Sequence, residues 1–112
     1  MQIEKNMYIR TKKGEISKVF AIQESGRILT NDFWCYKDKV TKASYNIIDL
    51  IEVGDYVNGF KITRISGDFE PFVEALYRYI KNDNNIIYIF YEEDIKSIVT
   101  KEQFESMEYK VK

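Results

Sequence analysis

The chain has no histidine, one cysteine and one proline among its 112 residues. Each shortage closes off some chemistry. Without histidine there is no Ser-His-Asp or Cys-His nucleophile, no imidazole ligand for zinc or haem, and no ordinary pH switch near neutrality. The lone Cys35 excludes an internal disulfide and a thiolate cluster for zinc or iron–sulfur. No stretch approaches the roughly 18 apolar residues of a membrane span. The opening Met1 to Met7 has no apolar run of signal-peptide length, so a cytoplasmic protein without membrane contact is expected. The glycines form neither G-x-x-x-x-G-K-[ST] nor G-x-G-x-x-G, which leaves nucleotide chemistry on a phosphate loop without its scaffold.

What is present describes an ordinary globular chain, 45% hydrophobic and 31% charged, of a length that fits a single domain over residues 1–112. Seventeen Lys+Arg against 18 Asp+Glu give a net charge of −1, so any pull toward nucleic acid must come from a local patch. Nine Tyr and seven Phe, with Ala only at 21, 43 and 75, favour strands over a helix bundle. The excess of Lys over Arg and the many Ile, Asn and Tyr match AT-rich codons and a low-G+C genome.

Along the chain, Met7 to Thr11 alternates as a half-buried strand, Lys12-Lys13-Gly14-Glu15 turns, and Ile16 to Ile22 returns. A turn at Glu24 to Arg27 precedes a third strand reaching Thr30. Phe33 to Tyr36 is a short aromatic run, followed by a polar loop from Lys37 to Lys42 with an edge strand around Val40. Ile47, Ile48, Leu50 and Ile51 read as one apolar helical or 3₁₀ turn over a barrel mouth. Asn58-Gly59, between Tyr56-Val57 and Phe60-Lys61, is a strong type I′ hairpin signal. Phe72, Val73, Leu76, Tyr77 and Ile80 form a helical stripe after Pro71, with Glu74 and Arg78 as an i,i+4 pair. Ile86 to Tyr91 reads as a strand covered on both faces. A turn at Glu92 to Asp94 precedes a strand over Ile95 to Val99. Thr100 and Gln103 fit a capping box opening a helix over 101–109 that buries Phe104 and Met107. The expected fold is a β-rich α+β domain: a small SH3-like or partly open antiparallel barrel with two short helices.

Few groupings suggest chemistry. Trp34, Tyr36, Lys37, Lys39 and Lys42 interleave aromatics with cations, which suits a base-stacking platform, a protein-docking anchor around Trp34, or merely an aromatic strand beside a solvated loop. Cys35 has no histidine partner and reads as a small buried hydrophobe. Asp94-Ile95-Lys96 superficially supplies the D-x-K element of a metal nuclease, and Asp68 and Glu70 flank Phe69; a charged turn is the simpler reading. Tyr56, Tyr77, Tyr79, Tyr88 and Tyr91 suit a planar ligand or a rim of the core. No catalytic residue, metal ligand or cofactor site is assigned, and the chain is read as no enzyme.

Three segments carry a likeness: Met7 to Gly14 (MYIRTKKG), Asn46 to Gly59 (NIIDLIEVGDYVNG) and Ile95 to Tyr109 (IKSIVTKEQFESMEY). They resemble small uncharacterised proteins carried by bacteriophages and prophages of low-G+C Gram-positive bacteria. The resemblance covers about a third of the chain and brings no activity to any residue. It implies a setting, the cytoplasm of an infected host, and a role of counter-defence type. The expected partner is a host protein, a defence nuclease or sensor, which the chain binds and inhibits as an anti-CRISPR protein does. A nucleotide or nucleic acid bound by a small barrel is the alternative, and a structural or assembly role the third.

Overall fold

Eleven short strands build three antiparallel sheets in the computed structural model, which describes residues 1–67, 70–79 and 84–107. The backbone divides into two compact units, Met1–Leu50 and Ile51–Lys112.

In the first unit, β1 (Tyr8–Thr11), β2 (Ile16–Ile22), β3 (Ile28–Thr30), β4 (Trp34–Cys35) and β5 (Val40–Ser44) form one sheet in the order β4-β3-β2-β1-β5. The turns fall where Gly14 and Gly26 supply positive φ, +82° and +90°. β2 pairs with β1 through Ile16 to Lys18 and with β3 through Val19 to Ile22, the register slipping between Val19 and Ala21. That slip lets one strand serve both halves of the sheet. Ile9, Val19, Ile28, Cys35 and Val40 make the core on one face, with Ile3, Phe33 and Ala43 against it.

The other face of β1 is covered too. Ile47–Leu50 forms the expected turn, a 3₁₀ turn that buries Ile48 and Leu50. Arg10, fully buried, donates from Nη1 to the Leu50 carbonyl at 2.9 Å. A guanidinium inside a small unit is tolerated only with such bonds in place.

The second unit holds two three-stranded sheets. β6 (Tyr56–Val57), β7 (Phe60–Lys61) and β11 (Ile98–Val99) form one, in the order β11-β6-β7. β8 (Arg64–Ser66), β9 (Phe72–Tyr79) and β10 (Asn84–Phe90) form the other, in the order β10-β9-β8. Asn58 at φ +53° and Gly59 at φ +85° make the expected hairpin turn. Asn58 also clamps a distant segment: its side chain donates to the Asp94 carbonyl at 2.8 Å and accepts from the Lys96 and Ser97 amides. α1 (Lys101–Met107) opens with the expected reciprocal cap between Thr100 and Gln103.

Four expectations are corrected. The stripe after Pro71 is no helix: Phe72–Tyr79 is β9, paired with β10 from Val73↔Phe90 to Tyr79↔Asn84, and Ile80 lies outside the described residues. Val73 is buried on one face of this strand while Leu76 is exposed on the other, and β-branched and aromatic residues prefer that state. Glu74 therefore meets Arg64 across the sheet at 3.2 Å, and the side chain of Arg78, its expected i,i+4 partner, lies outside the described residues. β10 is not covered on both faces, since Ile86, Ile87 and Ile89 are exposed. Helix α1 leaves Phe104 (46%) and Met107 (65%) exposed, although Phe104 stacks on Tyr56 at 4.5 Å. Among the described residues there is one α-helix, not two. The β-rich α+β class holds, and none of the three sheets closes into a barrel.

Candidate functional site

The turn after β3 is set by one hydroxyl. Thr30 Oγ1 donates to the Phe33 carbonyl at 2.8 Å and accepts from the Phe33 and Asp32 amides, which reverses the chain into β4. Strand alternation then sorts the aromatic run. Cys35 goes into the core and Phe33 is half-buried, while Trp34 (54%) and Tyr36 (44%) point to solvent.

Trp34 does not stand alone. The Arg27 guanidinium lies 4.4 Å from the centre of its ring, and Tyr36 meets it edge-on with centroids 5.8 Å apart. Arg27 Nε is enclosed without a hydrogen-bond partner, so the ring is what stabilises this side of the guanidinium. The result is an Arg–Trp–Tyr cluster, the residue types most enriched where protein interfaces concentrate their energy.

Beside it lies a cleft of about 170 Å³. Phe33, Trp34 and Cys35 make one wall, Thr11, Lys12, Lys13 and Glu15 of the β1–β2 turn make the other, and Lys39 completes the rim. The turn is tied to that rim, because the Lys12 amide donates to the Lys39 carbonyl at 2.9 Å. Burial pushes the Cys35 thiol up, and the Glu15 and Asp38 carboxylates raise it further. A thiol so held stays protonated and is a poor nucleophile.

The five residues singled out from the sequence are not all brought together. Trp34 and Lys39 share the cleft, and Tyr36 packs on Trp34. Lys37, exposed on the 3₁₀ turn Lys37–Lys39, lines a separate cavity of about 470 Å³ with Ile3, Ile22 and Ile28. Lys42 sits half-buried on β5, opposite Arg10 of β1, and does not line the cleft. Arg27, Lys12 and Lys13 are the additions. The lysine pair before Gly14 was visible, but only the long-range backbone bond from Lys12 to Lys39 shows that turn beside the segment after β4.

The net charge also divides. Residues 1–50 carry nine Lys+Arg against six Asp+Glu, a net +3, whereas residues 51–112 carry eight against twelve, a net −4. The cleft belongs to the basic unit.

The other groupings are engaged in structure. Asp94 accepts from the Tyr91 amide at 3.0 Å and caps the 3₁₀ turn Glu92–Asp94, and no three Cys, Asp or Glu side chains cluster as metal ligands would among the described residues. Tyr56, Tyr88 and Tyr91 pack on Phe104, Phe60 and Phe72 respectively. Asp68 and Phe69, and the side chains of Tyr77 and Tyr79, lie outside the described residues. No helix among those described is long and apolar enough to cross a membrane.

Compared with protein-family models, curated proteins and solved structures, the chain matches none of them.

Proposed function

We propose that this chain is a non-enzymatic accessory protein of bacteriophage type that binds a host defence or regulatory protein and inhibits it. The observation that carries the reading is the exposed Trp34, stacked by Arg27 and edged by Tyr36 on a short, tightly turned strand. An indole half in water costs solvation in a monomer and repays it when a partner covers the ring. Holding the indole between two neighbours also reduces the entropy lost on docking. The counter-defence setting rests on the resemblance of Met7 to Gly14, Asn46 to Gly59 and Ile95 to Tyr109, and places the activity in the host cytoplasm.

The proposal includes a small SH3-like, partly open barrel for residues 1–50. Its support is the strand order β4-β3-β2-β1-β5, the shared and slipped β2, and a 3₁₀ turn between β4 and β5. A second reading, capture of a signalling nucleotide or nucleic acid, draws on Lys12, Lys13 and Lys39 beside Trp34. It is the weaker one, since Arg27 already occupies a face of the indole on which a base would stack.

The test is affinity capture from lysate of a low-G+C Gram-positive host, with wild type and Trp34→Ala in parallel, and phage plating on defence-bearing strains. The account expects one protein retained by wild type and lost with Trp34→Ala, with plating restored by wild type alone. Equal capture by both proteins, or no effect on plating, contradicts it.

A further inference from the structure

Resting on that protein-binding reading, we infer that the cleft between the β1–β2 turn and Trp34 receives an acidic side chain, Asp or Glu, presented by the protein partner. Its walls are preorganised. The Thr11 amide donates to the Glu15 carbonyl, the Gly14 amide to the Thr11 carbonyl and the Lys12 amide to the Lys39 carbonyl, each at 2.9 Å. The first two bonds fix the turn itself and the third ties it to Lys39 across the cleft, so its shape is set before a ligand arrives.

The cations around it are available. Among the described residues, neither Lys12 nor Lys13 has a carboxylate within ion-pair distance, and Lys39 reaches only Asp38, at 4.0 Å with both side chains well exposed. Three lysines thus line the cleft against one carboxylate, Glu15. The indole wall lowers the effective dielectric on one side, which strengthens attraction for an anion.

Size and charge pattern select among anions. About 170 Å³ is below the roughly 300 Å³ at which small-molecule pockets begin, and suits the head of one side chain. Glu15 lines the same cleft, and Asp38 stands between Lys37 and Lys39. A nucleic-acid strand, with a charge on every unit, would run successive phosphates past both carboxylates; a single carboxylate in the cleft faces Lys12, Lys13 and Lys39 against Glu15 alone. Arg27 on the indole further opposes base stacking.

Trp34 is the only tryptophan, so its emission reports on the cleft directly. The full chain is titrated at low salt with a short Glu-rich peptide, its Gln counterpart, inorganic phosphate and a single-stranded oligothymidine. The inference expects a saturable change in emission with the Glu peptide, none with the Gln peptide, and weaker responses to phosphate and oligonucleotide. The double variant Lys12→Glu, Lys13→Glu, exposed and on a turn, is expected to keep the wild-type circular dichroism and weaken the peptide about tenfold. Tighter binding of phosphate or oligonucleotide overturns the inference, as does an unchanged affinity in the double variant or no response to any probe. Partner capture lost with Trp34→Ala but kept by the double variant overturns this inference and leaves the protein-binding reading standing. Capture indifferent to Trp34→Ala overturns that reading instead.

Discussion

Trp34 and Cys35 are adjacent and have opposite duties. Trp34 is half in solvent, so Trp34→Ala should cost little stability, within about 1 kcal/mol by urea unfolding, while weakening partner capture tenfold or more. Cys35 faces the core, its thiol raised by burial and by Glu15 and Asp38. The folded chain thus keeps the thiol proton to higher pH than the unfolded chain does. The stability tied to this group is complete below the unfolded thiol value, about 8.5, and falls as pH rises through the folded one. Tyr45 adds in the same direction, because its hydroxyl donates to the Glu4 carboxylate and its pKa is raised first by that bond. Urea midpoints should therefore decline on the alkaline side and less steeply in Cys35→Ala; an identical slope would contradict this. Native Cys35 should also react with iodoacetamide far more slowly than in urea. The inward cysteine was legible from its aromatic strand, whereas buried Arg10 was not. Alternation alone turns an arginine outward, and only the 3₁₀ turn 47–50 folding over β1 gives it a covered carbonyl to bond.

At the scale of elements, polar side chains tie loops that have little apolar mass. Asp55 is fully buried and accepts from the Glu52 amide at 2.7 Å and the Lys101 amide at 2.9 Å, joining a loop to the first turn of α1. Asp55→Ala leaves those amides without their acceptor and should cost about 2–3 kcal/mol. Asn58→Gly keeps the left-handed turn but removes three side-chain hydrogen bonds to residues 94–97; a loss of about 1–2 kcal/mol in urea unfolding is expected. A neutral effect would show that Asn58 serves the turn alone. The hairpin at Asn58-Gly59 and the cap at Thr100 were readable because each is a local rule with few competitors. The strand β9 was misread because Phe72, Val73, Leu76 and Tyr77 fit a helical stripe as well as a strand. Only pairing with β8 and β10, a nonlocal fact, decides between them.

For the molecule as a whole, a net charge of −1 conceals a basic unit and an acidic one. A binding surface in the basic unit should associate faster at low ionic strength. Raising salt from about 0.05 to 0.5 M should slow association with an acidic partner more than it speeds dissociation. Stopped-flow or surface-binding kinetics would check this, and salt-independent association would argue that the lysines around Trp34 are bystanders. The sequence showed the Trp34, Tyr36 and Lys39 part of the surface because these residues lie close together in the chain. It hid Arg27, which arrives through the pairing of β3 with β4, and Lys12 and Lys13, which arrive through the backbone bond from Lys12 to Lys39. The shortage of histidine and cysteine removed the commonest catalytic systems, and the remaining carboxylate of interest, Asp94, caps a turn.

The central claim is that Trp34 and its neighbours form a protein-docking surface. Parallel capture from host lysate with wild type, Trp34→Ala and the unrelated surface variant Ile87→Ser tests it most directly. The account predicts one host protein held by wild type and Ile87→Ser and absent with Trp34→Ala. Retention of the same protein by all three would contradict it.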